Sequence, residues 1–377
     1  MQSLTTLAAF LLTLGVLVSF HEYGHFLAAR LCGVKVLRFS IGFGKPLYTY
    51  RAPNGTEWVL AGIPLGGYVK LLDGRDSSEK MNPEDCQHTF EIKPLWQRSF
   101  IVAAGPLANF VLAILLFAAL YSYGVPQLEA RIQAPPELSI AAKSGLVAGD
   151  RIVGWKSVAG SLNDPVGLDG FDEVLSWNSL RWRLLDALTA EQGFILQLQG
   201  PEGGQFIRSF PSNTLPKMQA NSDPMQALGI LPLAKIAPDI FELKLGPLDA
   251  VGYAADRVYF ITKVSLRMML GLFTGKTALN QLGGPLSIAD VAGKTIQVGW
   301  QPYIGFLALM SISIGLLNLL PFPMLDGGQL LYDAWELVAG KRIAISMQEK
   351  LQKLGFLLLV AFSLLALFND LKRYLIP

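Results

Sequence analysis

Two histidines and a glutamate stand at the end of a long apolar run, in "VSFHEYGHFLAARLCG", residues 18–33. On a helix, His21 and His25 lie one turn apart on the same face. Both imidazoles can then bind one zinc ion at about 2.0–2.1 Å. Glu22 is rotated by roughly 100° from His21, so it can reach water at the metal without binding the metal itself, as in zinc hydrolases. The chain has one other histidine, His88. Ionisable residues within an apolar helix mark functional sites. The bland alternative is a helix end at the membrane interface, with these side chains simply reaching water.

A catalytic zinc takes three protein ligands and keeps one position open. The extended H-E-x-x-H-x-x-G-x-x-H pattern does not continue, because Ala28 and Leu31 occupy its glycine and third-histidine places. His88 sits in the polar stretch "NPEDCQHTF" and reads as exposed, so a carboxylate at membrane depth is expected to be the third ligand. Asp326 in "NLLPFPMLDGGQ" is the candidate. Pro321 and Pro323 break an apolar helix there, and broken backbone is tolerated at depth where it is buried in protein or lines a wet cavity. The competing reading makes Asp326 a helix N-cap at the membrane edge. Asp333, Glu336 and Asp370 read as interfacial. Asn318 lies eight residues before Asp326; it can hold a substrate strand or polarise its carbonyl, or bond a neighbouring helix. In "GPLAN", residues 105–109, the small residues and Asn109 read as close helix packing.

The elements that must position these residues are membrane elements. Of 377 residues, 51% are hydrophobic and 16% charged, with mean hydropathy +0.39; soluble domains carry about a quarter charged residues. The lipid bilayer is therefore an expected partner. A net charge of +2, with no basic run and no basic–aromatic interleaving, offers no nucleic-acid surface. Four segments approach the roughly 20 residues that span a hydrocarbon core: 4–20 running on to Leu31, 99–124, 302–320 and 351–370. The first has no basic residue before Arg30, which reads as a span and not a signal peptide. Ten Lys and Arg in 30–98, and Lys341, Arg342 and Lys350 in the last link, place both segments in the cytoplasm. The N-terminus, 125–301 and the C-terminus then face outward, with Lys372 and Arg373 weighing against. Cys32 and Cys86 fall on the cytoplasmic side, where a disulfide is not expected.

The fold class is a polytopic α-helical membrane protein of about four transmembrane helices, with a membrane-associated β-hairpin loop and an inserted α+β domain, which the resemblance given below makes PDZ-like. The expected domains are a first span carrying HEYGH (1–32), a cytoplasmic or re-entrant β loop (33–97) and a second span (98–124). An outward-facing α+β domain (125–240), an amphipathic helix and linker (241–300), a third span with LDG (301–340) and a fourth (350–371) follow. "PNG" between "PLYTY" and "EWVLAGI" signals a hairpin. The amphipathic stretch 246–275 pairs an apolar stripe with Asp256, Arg257, Lys263 and Arg267 and could lie on the membrane surface.

Together "HEYGH", "RFSIGFGKPL", "IPLGGYVKLLDG", "AAGPLANF", "GGPLSIA" and "NLLPFPMLDGGQ" resemble the site-2 protease family of intramembrane zinc metalloproteases, in its RseP-type branch. The resemblance runs from the first span to the last. "AAKSGLVAGDRIVGW" resembles the core of a bacterial PDZ domain, and "LGI" at 228–230 its peptide-binding edge. The family implies zinc held by His21, His25 and Asp326, with Glu22 as general base. It implies a 35–75 loop that presents substrate, with Asn318 helping to hold it. Pro321, Pro323, Gly42, Phe43 and Gly44 are further substrate-binding candidates. The implied substrate is a transmembrane segment of a single-span membrane protein, such as an anti-sigma factor, already cut once outside the membrane. Peptide tails are implied partners of the PDZ-like domain. The chain departs from well-known relatives in having room for one PDZ domain in place of two, and in carrying Gln329 where some have histidine. Two other classes are a non-catalytic adaptor that binds peptide tails, and a metal transporter. A transporter would usually show internal repeats and more intramembrane ligands, neither of which the sequence contains.

Overall fold

The helix α1 covers Gln2–Leu31, and no charged residue precedes Glu22 within it. Gly33 takes the left-handed conformation (φ +66°) and the Val34 amide bonds back to the Ala29 carbonyl at 2.9 Å, which closes the helix end. The computed structural model describes residues 2–74, 83–158, 170–216, 224–233, 240–273 and 284–375. The chain divides into two units, Met1–Phe117 with Leu282–Pro377, and Ala118–Gln281.

Within the first unit, the early half of α1 packs on α7 (Pro285–Val298) and α8 (Trp300–Asn318) through Ala9, Leu17, Ala292, Tyr303 and Phe306. The Tyr303 hydroxyl donates to the Ala9 carbonyl at 3.0 Å, so the polar group buried in that seam is satisfied. The later half of α1 packs on the β-structure and on α2 (Leu95–Tyr123) through Phe26, Ala29, Val36, Phe39 and Ile101. A Cβ on Gly24 would stand 2.3 Å from the Ala104 carbonyl; only glycine lets α1 and α2 approach this closely.

Among the described residues, four helices are long and apolar enough to cross a membrane: α1, α2, α8 and α10 (Ile345–Leu375). They are the four segments expected from hydropathy, and the chain is a multi-pass membrane protein.

The strands β1 (Val36–Arg51) and β2 (Glu57–Leu71) pair antiparallel around the turn at Pro53–Gly55. Their register is double. Arg38–Ile41 pairs with 57–60 on one side and with 67–70 on the other, while 46–51 pairs with 57–61. Each long strand therefore folds back on itself at Gly42 and Gly44 (φ +90° and +87°) or across Gly62–Gly67. Two strands form four short ribbons, with Gly67–Leu71 at one edge. Glu57 joins the ribbons: Arg51 bonds it, and Arg38 Nη2 reaches it at 2.8 Å. These two guanidiniums, Arg51 first, hold the Glu57 carboxyl below its ordinary range.

Helix α8 stops at Asn318 and α9 (Asp326–Ala339) starts after a break containing Pro321 and Pro323. The break bonds to itself, Phe322 N to Leu320 O at 2.7 Å and Leu325 N to Phe322 O at 2.9 Å. Its carbonyls lean onto the start of α9: a Cβ on Gly327 would lie 2.2 Å from Leu320 O, and one on Gly328 2.2 Å from Phe322 O. This is the physical need for two glycines after Asp326.

Two carboxylates read as interfacial are buried within the protein. Asp333 is 3% exposed and Asp370 0% exposed. Asp333 accepts from Ser99 Oγ at 2.9 Å, and beside it Arg98 forks onto both oxygens of Glu336 at 2.8 Å. Asp370 accepts the backbone N–H groups of Gly284, Leu286 and Ser287 and so caps the N-terminus of α7. Sequence could not supply these partners, which lie 83 to 238 residues away.

The second unit is α+β. It has the strands β3 (Val125–Leu128), β4 (Arg151–Val158), β5 (Asp172–Glu173), β6 (Gly193–Gln199), β7 (Gln205–Phe210) and β8 (Ile240–Leu243). Four form an antiparallel sheet in the order β5-β4-β6-β7, and β3 pairs with β8. The helices are α3 (Ile140–Lys143), α4 (Trp177–Thr189), α5 (Pro224–Leu228) and α6 (Pro247–Phe273). Trp155, Phe194 and Phe210 stack at 4.6 and 4.7 Å in a core that also holds Leu180 and Leu184. The unit reaches beyond 125–240 and includes α6, whose Lys263 bonds Asp186 of α4 at 2.8 Å and whose Arg267 bonds it too. Those two cations, expected on a membrane-facing helix, are engaged within the domain.

Candidate metal centre

The late turns of α1 present His21 and His25 on one face, and the first turn of α9 brings Asp326 against them. Asp326 Oδ2 lies 3.1 Å from His21 Nε2 and 3.4 Å from His25 Nε2, and the two Nε2 atoms are 3.2 Å apart. Three potential ligand atoms thus form a near-equilateral triangle. Around a tetrahedral zinc with bonds of about 2.0–2.2 Å, neighbouring ligand atoms sit about 3.3 Å apart, so the triangle is one face of such a site. Asp326 Oδ2 is buried and makes no hydrogen bond of ordinary geometry, despite its two close nitrogens. An acceptor in that state is costly unless a cation shares it. The residues fit a zinc ion.

The histidines are held from behind. His25 Nδ1 lies 2.9 Å from the Ile101 carbonyl. Donation there leaves Nε2 bare toward Asp326, as a metal-binding histidine requires. Gly105 makes room for the ring: a Cβ at that position would stand 2.2 Å from His25 Nε2. Asn109 Nδ2 lies 3.4 Å from His21 Nδ1. Sequence reading placed Gly105 and Asn109 in helix packing. The signal that could have found them is their i, i+4 spacing, which puts both on one face of α2.

The triangle opens on a cavity of about 390 Å³ lined by Glu22, Tyr68, Val69, Asn318 and Met324 among others. Glu22 is beside the triangle, and Val69 lines the same cavity. A Cβ added to Gly67 would touch Glu22 Cγ at 3.4 Å and the Ser40 carbonyl at 2.6 Å, so the Gly67–Leu71 edge runs against the glutamate. Asn318 faces this cavity from the end of α8. Pro321, Pro323, Gly42, Phe43 and Gly44 do not line it. The prolines shape the break that aims Asp326, and Phe43 stacks at 6.3 Å on Tyr68, which does line it. His88, at the end of a short 3₁₀ helix, bonds the Gly33 carbonyl at 3.0 Å, away from the triangle. Leu325, not Asp326, is the N-cap of α9. Among the described residues, His21, His25 and Asp326 are the one group of three or more such side chains with ligand atoms close enough to share a metal. No disulfide links Cys32 and Cys86.

The sequence pattern of peptidase family M50 matches residues 9–362. The regulator of sigma E protease of Haemophilus influenzae is 32% identical, with 99% of this chain and 100% of the relative covered. Protease RseP of Yersinia pestis is 33% identical, covering 99% and 100%. The regulator of sigma-E protease RseP of Escherichia coli is 33% identical, covering 97% and 98%. The Haemophilus alignment runs over 444 positions against 377 residues here, a difference of 67. Both chains are covered almost end to end, so the relative holds that extra length internally.

Proposed function

We propose that this chain, which belongs to peptidase family M50 and is a zinc metalloprotease, cleaves within the membrane. Its substrate is a transmembrane segment of a single-span membrane protein, such as an anti-sigma factor, after a first cut outside the bilayer. His21, His25 and Asp326 hold the zinc. The observation that carries this reading is the triangle of Nε2, Nε2 and Oδ2 at 3.1–3.4 Å, two of its corners on a helix with no charged residue before Glu22. The names of the relatives, regulators of sigma-E, support an anti-sigma factor as substrate.

When bound, zinc supplies Lewis acidity, polarising the scissile carbonyl and lowering the pKa of the attacking water toward about 7. Glu22 takes the proton of that water and passes it to the leaving amine. A helical substrate hides its carbonyls, so it unwinds locally, and the Gly67–Leu71 edge takes the extended stretch as an added strand. Asn318 holds that stretch from the other side of the cavity. Exposed Phe43, Leu47, Tyr48, Tyr50 and Ile63 on the β-ribbons support seating of this sheet in the membrane interface. The α+β unit is PDZ-like, faces the periplasm and meets peptide tails; the catalytic side faces the cytoplasm across the inner membrane.

Mass spectrometry of the products of a single-span reporter, co-reconstituted with the protein in liposomes, tests this. A cut inside the apolar segment is expected. Cleavage confined to the reporter's soluble part, or none, would count against the proposal and favour an adaptor.

A further inference from the structure

Asn109 is wholly buried in α2, 0% exposed, one turn beyond Gly105. Its backbone carbonyl accepts from Ser311 Oγ of α8 at 2.7 Å, so the residue is fixed between two helices. Its side chain is turned to His21, with Nδ2 3.4 Å from His21 Nδ1. Its Oδ1 is buried and has no hydrogen-bond partner. Two faults coincide in that orientation. A buried carboxamide oxygen goes unsatisfied, which is costly. An N–H aimed at Nδ1 also forces Nδ1 to be the acceptor. That puts the ring proton on Nε2, the nitrogen that points at Asp326.

Carboxamide oxygen and nitrogen are distinguished only by their hydrogen bonds. Turning the Asn109 amide over gives its oxygen a donor and moves the His21 ring proton off Nε2 in one move. The oxygen then accepts from His21 Nδ1–H, and the nitrogen takes the place where the oxygen found no donor. His21 becomes the Nδ1–H tautomer with Nε2 bare, matching His25, whose Nδ1 faces the Ile101 carbonyl at 2.9 Å.

We propose that Asn109 is the positioning residue of His21: its side-chain oxygen accepts the Nδ1 proton, fixes the tautomer and the ring plane, and strengthens zinc binding at Nε2. The inference rests on the zinc reading above. The two zinc-binding histidines are then held by different means. His25 depends on a backbone carbonyl, which substitution cannot remove. His21 depends on one side chain, which substitution can.

The experiment is competition of purified protein against a zinc chelator, comparing wild type, Asn109→Ala and Asn109→Asp, with the thermal midpoint of each metal-free protein as a folding control. Loss of such an outer partner typically costs 10–100-fold in metal affinity, and Asn109→Ala is expected in that range. Asn109→Asp, which keeps an acceptor oxygen, is expected within about threefold of wild type. Zinc affinity in Asn109→Ala within about twofold of wild type would overturn the inference. If wild type itself takes up no zinc, the metal reading fails instead, which is a separate result. Should Asn109→Ala not fold, the ¹⁵N imidazole spectrum of metal-free wild type decides, with His21 identified by His21→Gln. A protonated Nδ1 and bare Nε2 support the inference, and the reverse tautomer overturns it.

Discussion

At the scale of single residues, the site is a matter of reach. Three ligand atoms meet because Gly105 yields the volume that the His25 ring occupies. Gly105→Ala would drive a methyl group into the metal-facing edge of that ring. Its zinc content after dialysis, read by atomic emission, is expected to fall at least about tenfold, the scale on which misplaced ligands lose metal. Asp326→Asn keeps the shape but gives up the anionic ligand, so both zinc content and cleavage should drop; full retention of both would remove Asp326 from the ligand set. The HEYGH motif and Asp326 were legible in the sequence because histidine is scarce and carboxylates are costly in apolar helices. Asn109 was not. An amide among small residues packs helices as well as it orients a ring, and only the crossing of α1 and α2 puts it against His21.

At the scale of elements, the sheet edge and the broken helix position the chemistry. The hairpin turn at Pro53–Gly55 was readable from its residues. The doubling of the ribbons was not, since it depends on where glycines let two long strands bend, and local alternation carries no record of that. Val69→Pro removes a backbone N–H from the edge proposed to take substrate and stiffens it. It is expected to lower reporter cleavage by about tenfold or more while zinc content stays at the wild-type level. Unchanged cleavage would show that substrate does not pair there. The helix that carries Asp326 is anchored by Arg98, which is 5% exposed and forks onto Glu336. Arg98→Met leaves Glu336 with Arg342 alone, at 3.3 Å; loss of a charge-assisted hydrogen bond costs about 1.5–3 kcal/mol, visible as a lower thermal midpoint in detergent. A midpoint unchanged from wild type would mean that α9 is held by packing alone.

At the scale of the whole molecule, the four spans followed from hydropathy and length, and the α+β unit from a change of composition after the second span. The edge of that unit did not, because α6 looks like a free amphipathic helix until Asp186, far back in the chain, is seen to take Lys263 and Arg267. Sidedness is tested by labelling with a membrane-impermeant thiol reagent. Cys86, which is exposed, should react only when the cytoplasmic face is open, by the charge rule. In a Cys32→Ala, Cys86→Ala background, Ser212→Cys in the α+β unit should react only from the opposite face. Labelling of both from one side would contradict the proposed arrangement.

The central claim is that a zinc ion held by α1 and α9 cuts a peptide bond with Glu22 as its base. Its most direct test measures reporter cleavage and bound zinc together, in wild type and in Glu22→Gln. The account predicts equal zinc in both proteins and loss of cleavage in Glu22→Gln by about 10²–10⁴-fold, the usual contribution of a general base. Cleavage by Glu22→Gln at the wild-type rate, or wild type that cleaves without zinc, would contradict it.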